Sequence, residues 1–147
     1  MPQYHLVILK KPYLDAILAG TKTVESRFMK AKCCPFGRIT EGDKLFFKIS
    51  SGPVCATAVA AKVRNFDNLT PEKIAAIKKQ YNHLICGGDD YWQSKADSSC
   101  GFWVLLKDVR EISPRYIDKK DWRAWVVLTK ENNFGLLNKA TQSSVDK

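Results

Sequence analysis

The chain has no long hydrophobic run among its 147 residues. Its apolar stretches, such as Val54–Ala61, fall far short of the ~18 residues that cross a bilayer as a helix. No basic amphipathic helix stands out either, so no membrane partner is expected. Histidine is scarce: His5 and His83 are the only two, and they form no H-x-x-x-H pair. The five cysteines form no C-x-x-C pair, and adjacent Cys33-Cys34 is poor spacing for tetrahedral zinc. No metal site and no cofactor are therefore expected. An odd set of unpaired thiols points to a reducing, intracellular location, cytoplasmic or, in a eukaryote, nuclear. The start, Met1–His5, lacks the basic-then-apolar pattern of a signal peptide. Repeats and interdomain linkers are also missing, and the length suits one domain of ~100–200 residues.

What the chain does have is positive charge. Lys and Arg total 24 against 15 for Asp and Glu, a net charge of +9. With a pI near 9.4, such a surplus favours polyanion partners, because Lys and Arg displace condensed counterions from phosphates. Hydrophobic residues make up 45%, too many for a disordered chain.

The pattern of apolar residues predicts short strands and few helices. His5–Lys10 reads as a buried strand. Pro12 opens a helix of about two turns that Gly20 stops, since glycine accepts the left-handed conformation at a C-terminus. Thr21–Phe28 reads as a strand with Val24, Ser26 and Phe28 on one face and Thr23, Glu25 and Arg27 on the other. Met29–Thr40 is a basic loop. Strands follow at Lys44–Ser50 and Val54–Asn65. Thr70 caps a helix that starts at Pro71 and runs to about Tyr81, with Ile74 and Ile77 inward. Cys86–Asp90 reads as a flexible link, with a short helix starting at Tyr91-Trp92. Cys100–Leu106 is a strand that Val109–Ile112 continues, with Pro114 interrupting it. Trp125–Leu128 is the last strand. This mix predicts an α+β domain around a curled sheet or barrel.

The segment Gly20–Arg27, GTKTVESR, concentrates chemistry. It places an ammonium, a carboxylate and a guanidinium within a few residues. Such a set can grip a phosphate, order a nucleobase edge or activate water. The plainer reading is an exposed strand with a Glu25–Arg27 ion pair worth about 0–1 kcal/mol.

The run LVILKKPYLDAILAGTKTVESR resembles the opening of an ASCH domain, a branch of the PUA-like superfamily. That family's mark is G-x-K-x-x-E-x-R after a first strand and helix, and Gly20, Lys22, Glu25 and Arg27 supply it in order. The later EGDKLFFKIS strand, the long strand from Val54 and the Tyr91-Trp92 insertion fit as well. The resemblance implies a PUA-like β-barrel with flanking helices over residues 4–130. Beyond it periodicity is lost and Thr141–Lys147 is polar, so 131–147 reads as a partly flexible extension. The resemblance also implies RNA binding in a cleft that the motif lines. Some relatives are amidohydrolases of N4-acetylcytidine, and others are ribonucleases. The amidohydrolase motif resembles G-x-K-T-x-T-x-R. Lys22 matches its lysine, but Glu25 stands where its catalytic threonine belongs. No glutamate between Lys73 and Asp89 matches that branch's third residue.

Three functions are therefore expected in order. The first is binding of single-stranded RNA, or of structured RNA with an unpaired base. Lys22 and Arg27 would hold phosphate, Glu25 would accept from a base amino group, and Tyr91 or Trp92 would stack. Lys10, Lys11, Lys30, Lys32 and Arg38 would extend the basic surface. The second is hydrolysis of RNA or a modified nucleoside, with Glu25 as general base beside Lys22. The third is a protein-interaction module in a transcription or translation complex. Trp103 and Trp125 are expected in the core. Asp89 and Asp90 are expected in a solvated turn. Cys33-Cys34 near Lys30 and Lys32 is weighed as a reactive thiol pair. The mixed group Asp118–Arg123, with Trp122, receives no role.

Overall fold

The computed structural model describes residues 2–33, 35–118 and 123–137. Six strands and three helices follow one another among them. They are β1 (Tyr4–Leu9), α1 (Lys11–Ala19), β2 (Val24–Met29), β3 (Lys44–Ile49), β4 (Val54–Phe66), α2 (Pro71–Ile85), α3 (Asp89–Lys95), β5 (Cys100–Arg115) and β6 (Trp125–Leu128). The strands form one mixed sheet in the order β2-β5-β4-β3-β1-β6. β1 runs parallel to β3, and the other pairs are antiparallel.

Two long strands bend this sheet into a half-barrel. β4 and β5 pair over most of their lengths, with register shifts between Val54 and Ala56, Thr57 and Val59, and Ala60 and Lys62. Each irregularity adds local twist and bends the strand. The curl brings β2, at one end of the order, against β1 near the other. Arg27 Nη2 of β2 donates to Ile8 O of β1 at 3.0 Å.

Period-two alternation splits the core between the two faces. Phe102, Val104 and Leu106 of β5 pack with Val7, Leu9, Leu14, Ile17, Phe47 and Trp125 inside the curl, under α1. Trp103 points the other way and joins Val24, Phe28, Ile74, Ile77, Ile85 and Trp92, where α2 and α3 cover β2 and β5. A third cluster joins Leu6, Phe46, Val126 and Leu128 to Leu136. Buried contacts thus continue past residue 130, while residues 138–147 of the expected extension lie outside the described residues.

Several sequence expectations change. α2 runs on to Ile85, ending where Cys86 takes a left-handed conformation at φ 63°. α3 starts at Asp89, so both aspartates open a helix and do not sit in a turn. β5 continues through Pro114 to Arg115. Proline survives there because pairing with β4 is irregular at that end, where no ladder N–H is required. Cys34, Trp122 and the stretch 119–121 lie outside the described residues. No helix among those described is long and apolar enough to cross a membrane.

Candidate nucleic-acid interface

A cleft of about 750 Å³ opens between the start of α1, the strand β2 and the α2–α3 connection. Its walls are Ile8, Leu9, Lys10 and Tyr13 on one side and Ile85, Gly87, Gly88, Asp89, Asp90, Tyr91, Ser94 and Lys95 on the other. Lys22, Glu25, Ser26 and Arg27 form its back. The volume lies within the ~300–1,000 Å³ typical of small-ligand sites.

Lys22 arrives there by a chain of local causes. Gly20 closes α1 at φ 83°, and the N–H groups of Thr21 and Lys22 then both donate to Ala16 O. This turn aims the Lys22 side chain inward at the end of α2. A helix leaves its last carbonyls without intrahelical donors. At α2, Thr23 N takes Leu84 O at 3.1 Å and Lys22 Nζ takes Ile85 O at 2.5 Å. A cation at this end also complements the helix dipole. Lys22 Nζ donates further to Val24 O at 2.8 Å and lies 3.4 Å from Glu25 Oε1. Of the three N–H donors of an ammonium, two are spent on these carbonyls, and the charge is paired with Glu25. Lys22 is only 3% exposed.

Glu25 is the centre of the constellation. Its Oε1 faces Lys22 and accepts from Ser26 N at 3.2 Å, and its Oε2 accepts from Arg27 Nη2 at 2.9 Å. At 5% exposure it is no surface residue, so the exposed-strand reading of this segment does not hold. A carboxylate offers about four lone-pair sites; these contacts leave room for one further donor, on Oε2. The Arg27 guanidinium lies over the Trp125 ring, 5.3 Å from its centroid.

Only one of the Tyr91-Trp92 pair reaches the cleft. Trp92 is 4% exposed, packs on Phe28 and donates from Nε1 to Asn82 Oδ1 at 3.0 Å. It is a core residue and cannot stack on a base. Successive helix residues point about 100° apart, so its neighbour faces the opening. Tyr91 Oη donates to Ser26 O and pairs with Ser26 Oγ at 2.8 Å. Burial pushes the Tyr91 hydroxyl well above its ordinary value of 10, so it remains a donor at any working pH.

The expected basic surface divides. Lys10 lines the cleft, but Lys11, Lys30, Lys32 and Arg38 do not. Lys11 pairs with Asp15, Lys30 with Asp97 and Lys32 with Asp67. The lining carries the cations Lys10, Lys22, Arg27 and Lys95 against Glu25, Asp89 and Asp90. It is therefore mixed in charge, not a plain basic groove. Sequence reasoning missed Lys95 and Asn82. Asn82 organises the α2–α3 turn by accepting from Gly87 N and donating to Gly87 O.

The model of the ASCH domain family matches residues 7–138. The chain belongs to the ASCH domain family. Its half-barrel with flanking helices is the PUA-like fold expected from the motif. The ASCH domain is similar in fold to the solved ASCH protein of Zymomonas mobilis, with a TM-score of 0.69 at 15% identity, over 92% of this chain and 94% of that one. A serine-to-alanine mutant of that protein gives a TM-score of 0.69 at 16% identity, over 95% and 99% of the two chains. A tyrosine-to-phenylalanine mutant of it gives 0.68 at 15% identity, over 92% and 96%. No curated protein matches this ASCH domain.

Proposed function

We propose that this ASCH domain binds RNA by drawing a single-stranded or otherwise unpaired nucleotide into the cleft. The observation that carries this reading is the Glu25 carboxylate, fixed between Lys22 and Arg27 at the back of a nucleotide-sized cavity. A base amino group can donate to the remaining acceptor site on Oε2, as carboxylates do to cytosine N4. Tyr13 and Tyr91 supply aromatic surface in the walls. Lys22 is structural in this reading, because its ammonium is buried, bonded to Val24 O and Ile85 O and paired with Glu25. Arg27 positions the carboxylate and faces the ligand. The mixed lining suits reading of a base better than tracking of a backbone.

The test is fluorescence anisotropy with labelled single-stranded and duplex RNA across a salt series. Salt-dependent binding that favours the single strand is expected. No salt-dependent affinity for any RNA would overturn the reading and leave the interaction module. Incubation with RNA and with N4-acetylcytidine tests catalysis: turnover abolished by Glu25→Ala would replace a pure binding role with hydrolysis.

A further inference from the structure

Lys95 closes the last turn of α3 and lines the cleft, half-buried. Its ammonium lies 5.6 Å from the centroid of the Tyr91 ring. No carboxylate among the described residues lies within ion-pair distance of it. The nearby acids are committed elsewhere: Glu25 to Lys22 and Arg27, Asp89 to Lys78, Asp97 to Lys30. Asp90 sits in the first turn of α3, at the other end of the helix from Lys95. Lys11, Lys30 and Lys32 differ in that each has its own carboxylate.

A half-buried cation without a counter-charge is costly. Here the cost is increased by a second cation. Burial, and then the positive charge of Arg27, hold the Lys95 ammonium below its ordinary value of 10.5. An anion placed between the two would relieve both effects at once.

We propose that Lys95 and Arg27 form a phosphate subsite on the Tyr91 side of the cleft, and that the ligand enters as a phosphorylated nucleotide rather than a free base. The inference rests on the reading of the cleft as an RNA site and names the group recognised there. Glu25 then meets the base while Lys95 meets a backbone phosphate. Tyr91 contacts Lys95 from its own helix, and Arg27 of β2 is the charge that acts on it. The other charged groups of the lining are Lys10, Lys22, Glu25, Asp89 and Asp90.

Two measurements test it. The first is the salt dependence of binding to an eight-nucleotide single-stranded RNA. Lys95→Gln is expected to reduce the log–log salt slope by about 0.7, the value for one phosphate on a single strand. Lys30→Gln, outside the cleft, is expected to leave the slope unchanged. RNA binding with an unaltered slope in Lys95→Gln would overturn the subsite and spare the RNA reading. The second follows the Lys95 Cε resonance through a pH titration with and without inorganic phosphate. Phosphate is expected to move the Lys95 midpoint upward, and an unmoved midpoint would overturn the subsite. If the wild type binds no RNA, the RNA reading fails and the phosphate titration decides the subsite alone.

Discussion

Arg27 rests on Trp125: its guanidinium carbon lies 5.3 Å from the centroid of the indole ring. The ring is itself fixed from behind. Trp125 Nε1 donates to His5 Nδ1 at 3.1 Å. Since an indole nitrogen only donates, Nδ1 is the acceptor, and His5 Nε2 carries the proton to Asp43 Oδ2 at 2.8 Å. Asp43 also accepts from Gln3 N, Thr40 N and Thr40 Oγ1. A buried polar chain therefore runs from the turn before β3 to the back of the cleft. Trp125→Phe keeps an aromatic face under Arg27 but leaves His5 Nδ1 without a donor. It should lower folding stability by about 1–3 kcal/mol, read by urea unfolding.

The same chain makes stability depend on acid. Burial holds His5 below its ordinary 6.5, outweighing the pull of Asp43 in the other direction. Between that depressed value and 6.5 the unfolded chain binds a proton that the folded chain does not. Stability must then fall as pH drops below about 6.5, by at most ~1.4 kcal/mol per pH unit from this residue. Asp43 adds to the loss at lower pH. Burial raises it, but the bonds from His5, Gln3 N and Thr40 N bring it net below 3.8. Its contribution is present above 3.8 and is lost as pH falls through the depressed value. Urea unfolding at pH 7, 6 and 5, with NMR titration of the His5 ring, checks the first sign, and unfolding continued to pH 4 and 3 checks the second. An imidazolium already formed in the folded protein near pH 6.5 would contradict the account.

Lys22→Met removes the donor from Val24 O and Ile85 O and one cation from Glu25. Breaking one side of a buried pair typically costs about 3–5 kcal/mol. The expected result is a large drop in the urea midpoint. A loss below about 1 kcal/mol, as for an exposed lysine, would show that the ammonium faces the cleft after all.

Gly87 has no room for a side chain. A Cβ there would lie 2.8 Å from Tyr91 Cδ2 and 2.9 Å from Trp92 Nε1. Neither ring can swing aside, because Trp92 is held by Asn82 and Tyr91 by Ser26. Gly87→Ala should cost about 1–3 kcal/mol, as overpacking does. It should also move the Tyr91 resonances and weaken RNA binding. Unshifted Tyr91 signals would argue against this packing.

Much of the fold was legible because period-two patterns are local. The alternation of Val24, Ser26 and Phe28 against Glu25 and Arg27 is seen in the structure: Val24 and Phe28 join the α2 face, while Glu25 and Arg27 back the cleft. The burial of Lys22 was not legible. It depends on Ile85 O, 63 residues away in sequence, and no local pattern reports where a distant helix ends. Tyr91 and Trp92 looked equivalent because composition does not fix helical phase. The surplus of +9 also misled, because Lys30 and Lys32 of the basic loop are matched by the carboxylates of Asp97 and Asp67. Lys95 carries no sequence signal, and only the lack of a paired carboxylate among the described residues marks it.

The central claim is that RNA occupies this cleft. The most direct measurement is the change in amide and side-chain NMR shifts on titrating a single-stranded RNA into the protein. The account predicts perturbations at Ile8–Lys10, Tyr13, Glu25–Arg27, Gly87–Tyr91, Ser94 and Lys95, the walls and back of the cleft. Perturbations confined to the loop carrying Lys30, Lys32 and Arg38, with the cleft residues unmoved, would contradict it.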